Sequence, residues 1–103
     1  MLIAIDFDGT LAKRVGIPTR EDEVVDLKPM KGALDTVKLL QHLKHEVYVF
    51  TANKNLYDIE EWLKRNDFPK LMVTNIKQIG TQVYIDDRAL RFTNWNDIRK
   101  HFS

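Results

Sequence analysis

The chain has 103 residues, 44% hydrophobic and 30% charged, with a formal net charge of +1 and no cysteine. That length favours one domain with one core, able to bury roughly two-thirds of the surface its unfolded form exposes. The composition excludes disulfides, thiolate catalysis and Cys-ligated zinc, and the near-neutral charge carries no basic signature that demands nucleic acid.

No apolar stretch approaches the ~20 residues that span a bilayer. The N-terminal apolar run has no basic segment before it and stops at Asp6, which does not fit a signal peptide. A cytoplasmic protein without a membrane partner is expected.

The first predicted element is a strand from Leu2 to Asp6, an unbroken apolar run suited to a sheet covered on both faces. Asp8, Gly9 and Thr10 follow at once, so the strand delivers two carboxylates to its C-terminal edge and then turns. Ligands bind at that edge in open α/β sheets. The plainer reading is a strand with an Asp/Gly turn. From Ala12 to Pro29 the chain is polar and aperiodic, with Gly16, Pro18 and the mixed-charge run Arg20 to Glu23. It reads as a long loop or small flap.

Met30, Ala33, Leu34, Val37, Leu40 and Leu43 recur at helical spacing, with Pro29 at the start and an end near His45. Val47 to Phe50 is a β-branched and aromatic strand that ends at Thr51. Leu56, Ile59, Trp62 and Leu63 mark a second amphipathic helix, with Asn55 as N-cap and Asn66, Asp67 and Pro69 closing it. Leu71 to Val73 is a short third strand. Val83 to Ile85 is a fourth, ending at Asp86 and Asp87. Asn94 caps a last helix whose apolar face is Trp95, Ile98 and Phe102.

Strands alternating with helices imply parallel pairing and right-handed crossovers. The expected fold is a three-layer α/β/α Rossmann-like domain over residues 1–103, with a mainly parallel central sheet. Asp6 with Asp8, Thr51, and Asp86 with Asp87 then meet on one edge. Four converging carboxylates cannot all ionise cheaply in a low dielectric. A divalent cation relieves them, and oxygen-only ligands favour Mg²⁺ with open positions for water and a substrate phosphate.

In this arrangement the sequence resembles the haloacid dehalogenase superfamily of aspartate-nucleophile phosphohydrolases. Asp6-Phe7-Asp8-Gly9-Thr10-Leu11 matches the first motif of that family, Val47 to Thr51 the second, and Val83 to Asp87 the fourth. The third motif is a lysine ahead of the last strand. Lys77 is its best match, with Gln78 where small relatives carry proline and Lys70 as the alternative.

The resemblance implies roles. Asp6 would attack phosphorus and bind Mg²⁺ through its other oxygen. Asp8 would protonate the leaving oxygen, then deprotonate the incoming water, with its main-chain carbonyl on the metal. Its presence points to phosphoryl rather than carbon–halogen chemistry. Gly9 would let the backbone approach the phosphate. Thr51 would donate to a phosphate oxygen, and Lys77 would neutralise charge. Asp86 would be the further direct metal ligand and Asp87 a neighbour held through water, with the reverse assignment as the alternative. Asn53 is a substrate-contact candidate, a turn residue on the plainer reading.

Other residues read more simply. Arg88 would orient Asp87, contact substrate or form a surface ion pair. His42, His45 and His101 are surface or dipole-complementing residues. Trp62, Trp95 and Phe102 are core aromatics.

The family's cap domains are inserted between these motifs, and neither interval here is long enough to hold one. A cap-less domain with an open site is therefore expected. It suits a phosphorylated substrate that is large or polymeric. Nucleic acid enters only as substrate, through a resemblance of Tyr84 to Arg88 to polynucleotide-end phosphatases. The rival reading is a phosphate- or metal-binding regulator, or a subunit of a larger assembly, on the same fold.

Overall fold

The computed structural model describes residues 1–13, 24 and 27–103. In chain order the elements are β1 (Leu2–Ile5), β2 (Ala12–Lys13), β3 (Lys28–Pro29), α1 (Ala33–His42), β4 (Glu46–Phe50), α2 (Leu56–Arg65), β5 (Val73–Thr74), β6 (Val83–Ile85) and α3 (Trp95–Phe102). The main sheet has the order β5-β4-β1-β6, and all its pairings are parallel. The fold is Rossmann-like α/β.

The register explains the burial. Ile3 pairs with Val47 and Val83, Ile5 with Val49 and Ile85, and Val49 with Val73. Paired residues in parallel strands share a face, so these side chains form one apolar layer. Except for Ile85, which stays 39% exposed at the sheet edge, this layer packs with Phe7 against Val37 of α1 and Ile59, Trp62 and Leu63 of α2. Both helices belong to crossovers that run the same way across the sheet, so right-handedness puts both on this face.

The opposite face carries Leu2, Ala4, Tyr48, Phe50 and Tyr84. The connection from β5 back across the sheet to β6 crosses it. There Tyr48 Oη lies 2.6 Å from Thr81 Oγ1 and accepts from the Gln78 N–H at 3.2 Å.

Several boundaries differ from the sequence expectation. Pro29 does not start a helix. It pairs with Ala12 in a two-stranded antiparallel ribbon, and α1 begins at Ala33 behind Gly32 at φ +82°. That ribbon closes the ends of the predicted 12–29 loop, and Val24 and Leu27 within it are buried. The remainder of that loop, with Gly16, Pro18 and Arg20 to Glu23, lies outside the described residues.

Helix α1 stops at His42, three residues before His45. Strand β5 is Val73–Thr74 rather than Leu71–Val73, because only Val49 and Phe50 of β4 stand opposite it. Asn55 occupies the N-cap position of α2 without a side-chain capping bond. Asn94 caps α3 as expected, accepting from the Asp97 N–H at 2.9 Å. Helix α3 departs most from expectation. Trp95 and Phe102 are 70% and 77% exposed, and none of its residues is buried. They are surface aromatics, whereas Trp62 is a core one.

Candidate active site

The chain leaves β1 toward the helix-covered face and enters β6 from the other. The C-terminal ends of these adjacent strands therefore form a topological switch point, the place where open α/β sheets bind ligands. The Asp6 N–H continues the ladder to the Ile85 carbonyl at 2.9 Å. Carboxylate oxygens of Asp6, Asp86 and Asp87 then lie within 4.8 Å of one another. The donors are all hard oxygens just past two strand ends, a set that could hold a hard metal cation.

Local geometry holds each acid. The Phe7 carbonyl accepts from the N–H groups of Thr10, Leu11 and Ala12 at 3.2, 3.0 and 3.0 Å, and the Gly9 N–H donates to the Ala12 carbonyl at 2.9 Å. This tight turn requires φ +81° at Gly9, a conformation that costs other residues energy. A Cβ at Gly9 would also run into the Asp87 carboxylate. Asp86 Oδ1 accepts from the Arg88 N–H at 2.7 Å. This bond closes an Asx-type turn beside the cluster.

The Asp6 carboxyl is pushed up to about 6. Burial is the main cause, and repulsion from Asp86, Asp87 and Asp8 adds to it. The Phe7 N–H, donating to Asp6 Oδ1 at 2.9 Å, works in the opposite direction.

The next strand end supplies a polar bracket. Thr51 is 3% exposed at the end of β4, and its N–H donates to the Thr74 carbonyl at 3.0 Å. Its Oγ1 accepts from the Asn53 N–H at 3.0 Å. The Asn53 side chain donates to Asp8 Oδ2 at 3.4 Å, and its Oδ1 accepts from the Asn55 N–H at 2.9 Å. Asn53 is thus both the turn residue of the plain reading and a neighbour of Asp8.

Sequence reasoning missed Asn75. Its Nδ2 donates to the carbonyls of Thr51 and Asn53 at 3.3 and 3.2 Å. The available signal was its place just past an apolar strand, as with Thr51.

The two lysines separate by topology. Lys77 follows β5, and its amine stands 5.4 Å from the Tyr84 ring centroid. Tyr84 lies on β6, two residues before Asp86. Lys70 precedes β5 and so lies toward the opposite sheet edge.

Among known proteins, the chain is 45% identical over 71 residues to a protein of Oceanobacillus iheyensis named "Putative nucleotidase OB0422". The match covers 55% of this chain, which spans 38% of that protein's length. No family model matches the chain. A conserved protein of Bacteroides thetaiotaomicron has the same fold, with a TM-score of 0.67 at 23% identity over 99% of this chain and 88% of that one. A cluster of three acids able to hold a metal, on a Rossmann-like α/β sheet, is what these residues build.

Proposed function

We propose that this chain is a Mg²⁺-dependent phosphohydrolase of the haloacid dehalogenase type, acting on nucleotide-type phosphate monoesters through an aspartyl-phosphate on Asp6. The observation that carries the reading is the convergence of Asp6, Asp86 and Asp87 at the ends of two adjacent parallel strands. The likeness to a protein named as a nucleotidase supports the substrate class.

Asp6, Asp86 and Asp87 would hold the cation, together with the main-chain carbonyl of Asp8. The bound ion supplies neutralising charge at the phosphate oxygens. An Asp6 oxygen attacks phosphorus, and the bond from phosphorus to the ester oxygen breaks. Asp8 gives its proton to the departing oxygen. Asp8 then takes a proton from water, the water oxygen attacks phosphorus, and the bond to Asp6 breaks to release phosphate.

Asn53 holds the Asp8 carboxylate throughout. Thr51 donates its hydroxyl to a non-bridging phosphate oxygen. Lys77 brings a point charge on a flexible stem from the Tyr84 face. Gly9 keeps the backbone low enough for the phosphate to approach.

The test is hydrolysis of p-nitrophenyl phosphate and nucleoside monophosphates with and without Mg²⁺, by wild type and Asp6→Asn. Turnover that needs the metal and disappears in the variant is expected. Full turnover by Asp6→Asn would overturn the mechanism.

A further inference from the structure

The near-neutral net charge hides a local asymmetry. Residues 88–103 contain Arg88, Arg91, Arg99 and Lys100 against a single acid, Asp97, so they carry +3 of a chain total of +1, leaving −2 for residues 1–87. Asp97 is also engaged locally. Its carboxylate accepts from Thr93 Oγ1 at 2.7 Å and Asn94 Nδ2 at 3.1 Å, at the α3 N-terminus. The four cations are exposed.

Aromatic rings are interleaved with these cations. Phe92 is 57% exposed and Trp95 70%, and the two pack edge to face with centroids 5.2 Å apart. Phe102 shares the Trp95 face of α3 at i+7. Rings are normally buried because each removes a large apolar area from water. Here the capped helix positions them outside the core. The segment also begins at the acidic cluster, since the Arg88 N–H is bonded to Asp86.

We propose that residues 88–102 form a docking surface for single-stranded nucleic acid, resting on the phosphohydrolase reading for the site that the strand's phosphorylated end would enter. Bases stack on exposed rings, and backbone phosphates pair with interleaved cations. A single strand fits better than a mononucleotide, because four cations spread on both sides of the rings exceed what one phosphate can use. It fits better than a second copy, because two such surfaces would bring like charges together.

The experiment is fluorescence anisotropy with a labelled thymidine 12-mer that has no terminal phosphate, in EDTA. Wild type, Asp6→Asn, Phe92→Ala/Trp95→Ala and Arg99→Ala/Lys100→Ala are compared, with circular dichroism on each. The rings and α3 residues are outside the core, so folded variants are expected.

Wild type and Asp6→Asn should bind alike, and affinity should fall as salt rises, with a log–log slope of about −1 to −3. The ring variant should bind at least about tenfold more weakly, and the Arg99/Lys100 variant should lose about one unit or more of salt slope. Equal binding by wild type and ring variant overturns the proposal. So does salt-independent binding, or no binding at low salt. Sedimentation showing a dimer that Trp95→Ala abolishes overturns it in favour of a contact between copies. Because the probe has no terminal phosphate and the buffer no metal, failure of the hydrolysis reading would leave this result intact, and the reverse also holds.

Discussion

The Asp87 carboxylate packs so closely against Gly9 that a methyl group at position 9 would overlap it. The strand end and the turn after β1 are thereby interlocked. Gly9→Ala must strain a backbone at φ +81° and also displace Asp87 from its neighbours. A loss of about 1–2 kcal/mol of stability is expected from the backbone alone. Mg²⁺ affinity should fall about 10–100-fold as the acid shifts. Gly32→Ala is the control, since Gly32 has φ +82° with nothing within 4 Å of its Cβ position. It should lose stability without changing Mg²⁺ binding. Urea denaturation and calorimetric Mg²⁺ titration read the two effects separately.

Asp6 gives the metal-free protein a defined pH dependence. Its folded-state value of about 6 lies above the ordinary 3.8. Between those values the folded chain keeps a proton that the unfolded chain has released. The stabilising contribution is therefore complete below about pH 3.8 and lost as pH rises through 6. Asp6→Asn should be more stable than wild type at pH 7–8 without metal, and the gap should close toward pH 4. Saturating Mg²⁺ should reverse the ranking at pH 8, because on the proposed mechanism the ion would bind the ionised native site. Thermal melts of both proteins across pH check this. A gap that does not vary with pH would contradict it.

Asn75 clamps the loop after β4 by donating to two of its carbonyls. That loop carries Thr51 and Asn53, and Asn53 reaches Asp8. Asn75→Ala should let the bracket drift without touching the acids. Each net hydrogen bond is worth about 1 kcal/mol, so turnover should fall about tenfold or somewhat more. The loss should appear mainly in kcat, with KM and Mg²⁺ affinity little changed. Asn75→Asp, which replaces the donor with an acceptor, should not restore the rate. Steady-state kinetics on a nucleoside monophosphate would show the split.

The sheet was legible because its information is local. Leu2 to Ile5 and Val47 to Phe50 are apolar runs whose ends are marked by Asp6 and Thr51, and the structure pairs them in register. The acids at Asp6, Asp86 and Asp87 could be brought to one edge by assuming parallel pairing, and they meet there. The hydrogen bond from Asn75 to Thr51 spans 24 residues, and no periodicity encodes it. Pro29 misled because its fixed φ suits a helix start and an edge strand equally well. Helix α3 misled because an apolar stripe states that a face prefers cover, without stating where the cover comes from.

The two tryptophans make that last point measurable. Trp62 is 1% exposed, packs edge to face on Phe7 at 5.1 Å, lies 5.8 Å from Phe68, and donates Nε1–H to the Leu27 carbonyl at 3.0 Å. It therefore ties α2 to both the β1 turn and the segment that returns to β3. Trp62→Phe keeps a ring but removes that donor, leaving the Leu27 carbonyl short of a partner and a void beside Phe68. The lost bond and the void together should cost about 2–4 kcal/mol. Trp95→Phe changes an exposed ring and should stay within about 0.5 kcal/mol. Urea denaturation followed by far-UV circular dichroism compares the pair without relying on tryptophan fluorescence. Equal losses at the two positions would mean that α3 is packed against the domain, and that its ring face is not a free surface.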